Sequence, residues 1–387
     1  MKKFLIGLLF ILLLVGIALG IFFWGTLKQV TVHSKFSPSP SPVPKVEGFN
    51  GLEPLNILLM GYGGGGHAGG KLTDTVMLVS IQPKTKQVFL ISIPRDLWVP
   101  VPINGDQSTF MKINAAYAIG ADDKGYKNKK EQFTGAAGGG ELAKFVVSNV
   151  TGLSVNRFAT LDFNGFKKTI DTLGGVNVKV DKTFDDYHYP IEGKEDDTCE
   201  KTPEDIASLT ATMSGDTLDQ QFTCRYEVLH FDAGKTFMDG ATALKYVRSR
   251  HSAQDGGDFN RGARQRNLLL AVKDKVLALD FFPKIIPFTA SLANDLTMDV
   301  SLDDIQEFLK YKDDLTKYHV VNLAFTQENV LTISTTPGGQ SIVTPKQGIG
   351  QYGDLQIWLK NQMAAAATSS AQISSASAKP ITAPTTK

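Results

Sequence analysis

Four short blocks of this chain carry side chains suited to phosphate chemistry. Thr73-Asp74-Thr75 places a carboxylate at the start of an apolar run, where it can hold a divalent cation. Taken alone, Asp74 reads first as a simple strand cap. Ile93-Pro94-Arg95-Asp96 ends a second such run with an arginine beside an aspartate. In isolation that pair is a surface ion pair of little energetic weight. Residues 246–251 read YVRSRH; in an extended segment residues i and i+2 share a face, so Arg248 and Arg250 would point the same way. Two like charges so placed repel unless an anion lies between them. Residues 258–266 read DFNRGARQR, and on a helix beginning near Asn260 the i, i+3, i+4 spacing puts Arg261, Arg264 and Gln265 on one face. Asp258, just ahead, suits the positive end of that helix. Arg248, Arg250, Arg261, Arg264 and Arg266 thus crowd into 19 residues. A guanidinium fork matches phosphate oxygens two at a time and stays charged at any working pH, so a phosphate or pyrophosphate site fits better than a solvated basic stripe.

Residues 61–71, GYGGGGHAGGK, follow a predicted strand and nearly fit a phosphate loop. Position 72 is Leu, so the magnesium-binding hydroxyl is missing, and a strand rather than a helix follows. The run is either a glycine turn whose backbone approaches an anionic ligand or a plain connection.

The elements that must position these residues are legible as alternating patterns. Residues 55–60, 75–82 and 87–93 read as strands, the last two joined by the turn Pro83-Lys84-Thr85-Lys86 into a hairpin. Residues 138–150 and 163–173 have helical spacing, with Gly152 and Gly174-Gly175 as stops. Residues 176–180 alternate as a strand, 239–246, 260–279 and 303–311 read as helices, and 319–325 and 330–334 as strands. Strands and helices intermix without a repeat, which predicts one α/β (α+β) domain with a mixed sheet.

Residues 4–24 are apolar without a charge. At ~1.5 Å per residue they span about 31 Å, the thickness of a bilayer core. Lys2 and Lys3 precede the run, predicting a cytoplasmic N-terminus and an extracellular remainder. A cleaved signal peptide is the alternative, with Ala18-Leu19-Gly20 as its small-residue site. Residues 1–28 are therefore read as a cytoplasmic start and single-pass membrane anchor. Residues 29–54, with alternating Ser and Pro, form a semi-rigid linker. Residues 55–363 make the folded extracellular domain, and 364–387, rich in Ala, Ser, Thr and Pro, a disordered tail. Outside the cytosol, Cys199 and Cys224 are most simply a disulfide pinning a polar surface insertion at about 181–230, a catalytic thiol being the alternative.

Lys plus Arg number 40 and Asp plus Glu 39, for a net charge of +1. That balance, with an outward-facing domain, argues against nucleic-acid binding. Two cysteines exclude a four-cysteine zinc site.

Several stretches resemble the LytR–CpsA–Psr (LCP) family of membrane-anchored cell-wall glycopolymer transferases. They are NILLMG, TDTVMLVSIQPKTKQVFLISIPRDLWV, KINAAYAIG, LDFNGFKKTIDTLGGVNVKVD, MDGATALKYVRSRH and DFNRGARQRNLLLAVKDK, in the family's order over most of residues 55–280. The resemblance implies a single LCP-like domain with a mixed central sheet flanked by helices. A polyprenyl chain would lie in an apolar tunnel, with its pyrophosphate at an arginine-lined mouth beside Mg2+ (or Mn2+). The implied reaction moves an anionic glycopolymer from polyprenyl pyrophosphate to peptidoglycan. By motif position, Asp74 would be a metal ligand, and Arg95, Arg248 and Arg250 would clamp the pyrophosphate. Asp258, Arg261 and Gln265 match the last motif. The family usually carries an aspartate just after the first strand, where this chain has Tyr62, and an arginine two residues before Asp74, where it has Leu72. Metal binding would then rest on fewer carboxylates, with Lys71 supplying the missing positive charge. Two rival readings use the same residues: a polyprenyl-pyrophosphate phosphatase with water as acceptor, and a non-enzymatic binder of wall polymer or lipid.

Overall fold

The computed structural model describes residues 53–65, 69–214, 216–278, 295–300, 304 and 317–377. The expected anchor at 4–24, most of the linker, and the helix expected at 303–311 apart from Asp304 lie outside the described residues. Among the described residues, no helix is long and apolar enough to cross a membrane. The chain divides into two compact units, residues 1–165 with 282–387 and residues 166–281.

The first unit opens with β1 (Leu55–Tyr62), β2 (Thr73–Gln82) and β3 (Gln87–Ser92), a continuous antiparallel meander. The predicted turn between β2 and β3 forms at Pro83–Thr85, closed by Lys86 in the left-handed conformation at φ 51°. Leu58, Leu78 and Ile91 are fully buried, pointing into the core that these strands share. A ribbon of β4 (Trp98–Asn104) and β5 (Gln107–Lys112) follows, then the short helix Ala115–Gly120. The helix Gly138–Thr151 and β6 (Arg157–Asp162) come next. Gly120 and Gly140 explain how these elements close. A β-carbon on Gly120 would meet the Gly138 carbonyl at 2.3 Å, and one on Gly140 would meet the Phe158 ring at 2.1 Å. Hydrogen is the only side chain that admits this approach.

The second unit has its own core. β7 (Val176–Val180) buries Val176, Val178 and Val180 and exposes Asn177 and Lys179, the period of two expected of a half-buried strand. It pairs with β10 (Gly234–Met238), while β8 (Phe184–Pro190) pairs with β9 (Tyr226–Phe231). The helices Gly240–Arg248 and Asp258–Ala278 complete the unit. Asp239 caps the first of them, its side chain accepting from the Thr242 amide at 2.8 Å. Phe184, Phe231 and Tyr246 stack at its centre, with ring centroids 5.2 to 6.2 Å apart. The polar look of residues 181–230 hides alternate inward positions on β8 and β9, enough to close a separate core. The cysteine bridge forms between Cys199 and Cys224, with Cα atoms 5.6 Å apart, inside the connection from β8 to β9.

The chain then completes the first unit. β11 (Leu296–Met298) and β12 (His319–Ala324) add edges, giving a six-stranded mixed sheet in the order β11-β6-β1-β2-β3-β12. A hairpin of β13 (Leu331–Thr335) and β14 (Ser341–Pro345) precedes the helix Gly353–Ser377. That helix carries residues 364–377, where composition predicts no order. Leu355 and Leu359, each 1% exposed, anchor its start, and the alanine run beyond has the highest helix propensity of any residue.

Candidate functional site

Strand direction collects the first set of chemical groups. β1 runs parallel to β6, β3 runs parallel to β12, and β2 is antiparallel to both β1 and β3. The carboxyl ends of four strands and the start of β2 therefore share one edge of the sheet. Ligands of open α/β sheets bind outside such an edge. Tyr62, Asp74, the turn bearing Arg95, and Asp162 all fall there.

Asn114 ties two of these segments together through its backbone. Its amide donates to the Arg95 carbonyl at 3.2 Å, and its carbonyl accepts from the Thr73 amide at 3.1 Å. Arg95 then forms an ion pair with Asp74 and approaches Asp96 at 3.5 Å, while Lys112 holds the far oxygen of Asp96 at 2.6 Å. The result is an alternating array, Asp74–Arg95–Asp96–Lys112, in which carboxylates on both sides orient the Arg95 guanidinium. Arg95 keeps 23% of its side chain exposed and Asp74 37%, so both can meet a ligand. The Arg95–Asp96 pair of the sequence is thus part of a longer network. Lys112 and Asn114 were not legible in it, having no motif of their own.

Tyr62, in the place of the family aspartate, is half-buried. Burial foremost, then Tyr117 and the Asp162 charge, push its phenol well above the ordinary value, so it stays a neutral hydroxyl. Its ring lies 5.5 Å from that of Tyr117. Asp162 is its register partner on β6 and accepts the Gly165 amide at 2.8 Å. Gly64, at φ +88°, lets the loop pass Asp162, where an added β-carbon would sit 3.1 Å from the carboxylate. Lys71 is exposed just before β2, and Gly66, His67 and Ala68 lie outside the described residues.

Asp74 is a half-exposed carboxylate that belongs to no group of three potential metal ligands: among the described residues, the one such group is Asp197 with the bridged Cys199 and Cys224. A lone carboxylate does not make a self-sufficient metal cage. It does fit Mg2+ that arrives with a pyrophosphate, since that ion is usually held by one or two carboxylates plus substrate oxygens and water.

The second unit holds the remaining arginines, and they divide into two roles. Arg264 is 2% exposed and structural. It donates to the Tyr246 carbonyl at 3.1 Å, to the Asp255 carbonyl and carboxylate at 2.7 Å each, and to the Ser249 carbonyl, with its guanidinium 4.9 Å from the Phe184 ring centroid. Arg261 is buried as well, at 6%. Arg248 and Arg250 remain partly exposed. They do not share an extended segment as the sequence predicts, because the helix capped by Asp239 continues through Arg248. Arg248 instead donates to the Tyr189 hydroxyl at 3.2 Å, and Arg250 follows the helix end at Ser249. Gln265 lies on the next helix, partly buried; Asp258 opens that helix, and its side chain lies outside the described residues.

Asp186 on β8 organises this region and was missed in the sequence. It is 1% exposed, and its carboxylate accepts the Ser249 hydroxyl at 2.6 Å and the amides of Arg250, His251 and His188 at 3.0, 3.1 and 3.0 Å. Burial pushes its pKa up, but these donors, Ser249 first, outweigh it and hold the carboxyl below its usual value. The available signal was an aspartate on the inward face of an alternating strand.

The chain is similar to known proteins over most of its length. The chain is 25% identical over 260 residues to the polyisoprenyl-teichoic acid–peptidoglycan teichoic acid transferase TagU of Enterococcus faecalis, covering 67% of this chain and 65% of that one. It is 26% identical over 317 residues to the protein of the same name from Oceanobacillus iheyensis, covering 81% and 77%. The solved structure of gbs0355 from Streptococcus agalactiae superposes with a TM-score of 0.54 at 24% identity, over 80% of this chain and 87% of that one, which establishes a shared fold. The profile of the LytR_cpsA_psr family matches residues 21–347, and the chain belongs to that family.

Proposed function

We propose that this protein is a membrane-anchored phosphotransferase that moves an anionic glycopolymer from a polyprenyl-pyrophosphate carrier to peptidoglycan. The observation that carries the reading is the Asp74–Arg95–Asp96–Lys112 array at the carboxyl edge of the sheet, in a chain whose family relatives are named for this transfer. An acceptor hydroxyl attacks the phosphorus nearest the glycan, and the bond from that phosphorus to the polyprenyl phosphate breaks. Polyprenyl phosphate leaves with the electron pair, the hydroxyl proton passes to solvent, and a phosphodiester joins glycan to wall. Such a reaction asks a protein for positioning and charge neutralisation rather than a covalent nucleophile. Arg95 on the first unit, pre-oriented by its two carboxylates, is assigned to neutralising pyrophosphate charge, and Arg248 and Arg250 on the second unit are each assigned the same role by motif position. Arg261, Gln265 and Asp258 support the last motif, and Lys71 adds positive charge at the glycine turn. Asp74 would hold Mg2+ (or Mn2+), which when bound supplies further neutralisation of the leaving phosphate. Residues 4–24 would anchor the chain with both units outside the cell.

The test is to incubate the purified protein with a polyprenyl-pyrophosphate oligosaccharide, magnesium and wall fragments. Polyprenyl phosphate together with a new glycan–phosphate–wall adduct is the expected outcome. Free phosphorylated sugar would replace transfer by hydrolysis, and tight retention without turnover would replace catalysis by binding.

A further inference from the structure

The segment carrying Arg250 is held from both sides by buried charges that belong to neither substrate nor metal. On one side the Asp186 carboxylate collects the Ser249 hydroxyl and the amides of Arg250 and His251. On the other, the Arg264 guanidinium takes the Ser249 carbonyl together with Tyr246 and Asp255. The Arg250 carbonyl is used as well, accepting the Gly257 amide at 2.8 Å. Gly256 is required for that return, since a β-carbon there would lie 2.2 Å from the Ser252 carbonyl. Backbone amides that could have bound a phosphate are therefore already spent on Asp186. Anion recognition at this segment falls to side chains, with Arg250 on a fixed base.

We propose that Asp186 is a positioning residue for transfer: with Arg264 opposite, it fixes the backbone of residues 249–251 so that the Arg250 guanidinium is presented to the pyrophosphate in one orientation. This rests on the proposed transfer, because without a pyrophosphate the fixed orientation has no substrate. An internal carboxylate is well suited to the task. It satisfies several amides at once, its geometry is locked by burial, and charge-assisted hydrogen bonds are about twice as strong as neutral ones.

Asp186→Asn keeps the shape but replaces one acceptor oxygen with a donor nitrogen. A misplacement of order 1 Å in a catalytic group costs on the order of 10²-fold in rate. The variant should lose roughly that factor in turnover, with the KM for the lipid donor changed less than about threefold. In an Arg250→Ala background the same substitution should cost less than about threefold, since there is no guanidinium left to aim. Losses that multiply in the two backgrounds would assign Asp186 a general structural role and overturn the proposal. Ser249→Ala is the milder companion should Asp186→Asn fold poorly, and it should show the same pattern at smaller size. Amide hydrogen exchange supplies a readout independent of turnover. The Arg250 and His251 amides should exchange faster in Asp186→Asn while those of β7 stay unchanged. Unaltered protection at both would defeat the positioning claim whatever the catalytic result, whereas a wild-type protein inactive in transfer, with the exchange effect still present in Asp186→Asn, would defeat the transfer reading and leave the fixed backbone standing.

Discussion

Replacing Lys144 by Met tests the buried electrostatics of the first unit. Lys144, Glu141 and Asp299 keep 0%, 2% and 1% of their side chains exposed. The ammonium lies 2.7 Å from Asp299 and 3.1 Å from Glu141, and Asp299 also accepts the Phe158 amide at 2.5 Å, which ties the segment after β11 to β6. At an effective dielectric of about 20 the two attractions are each of order 5 to 6 kcal/mol, most of it offset by desolvation. Methionine fills the volume but strands the carboxylates, at a net cost of about 3 to 5 kcal/mol. The deficit should depend on pH. Burial raises the Asp299 carboxyl above its usual range and Lys144 opposes that rise, so removing the lysine raises it further. A carboxyl whose folded pKa exceeds its unfolded one weakens the fold as pH climbs through the interval between them. The loss should therefore be largest near neutrality and shrink toward the unfolded carboxyl value of about 3.9. Urea unfolding followed by tryptophan fluorescence reads this directly, because Trp98 and Trp358 both belong to this unit. Adding Glu141→Gln and Asp299→Asn should restore most of the stability, since Asn keeps an acceptor for Phe158. A single-variant loss below about 1 kcal/mol, or one equal at neutral and acid pH, would refute the reasoning.

Three further outcomes follow from the site. Arg95→Ala or Arg250→Ala should lower turnover by ~10³ to 10⁵ while circular dichroism shows an intact fold; wild-type rates would remove that residue from the mechanism. Asp74→Asn should raise the magnesium concentration needed for half-maximal turnover, and an unchanged metal response would dissociate Asp74 from the ion. Cys199→Ser opens a bridge spanning 25 positions and should cost about 3.5 kcal/mol on the chain-entropy account, with transfer preserved once the protein is folded.

Local pattern made much of the fold legible. β7 falls where strict alternation puts it, and the β2–β3 hairpin forms at its proline-led turn. Two helices end at Gly152 and Gly174-Gly175 as expected, with Gly152 at φ 70°. What escaped depended on contacts distant in sequence. The β4–β5 ribbon contains Pro100 and Pro102 and exposes most of β5, so no clear period marks it. Asp186 looked like one acid among many until β8 turned it inward against Ser249, which lies 63 residues away. Arg264 shares a helical face with Arg261, and only its hydrogen bonds to the Tyr246, Asp255 and Ser249 carbonyls show it to be a structural post rather than a clamp. Motif spacing found the right segments, but the division of labour among their arginines is a tertiary property.

The most direct test of the central claim is to run the reaction in water enriched in heavy oxygen and weigh both products. Transfer to a wall hydroxyl predicts polyprenyl phosphate free of the label and an unlabelled phosphodiester between glycan and peptidoglycan. A labelled sugar phosphate, released with no wall adduct, would show that water is the acceptor and contradict the account.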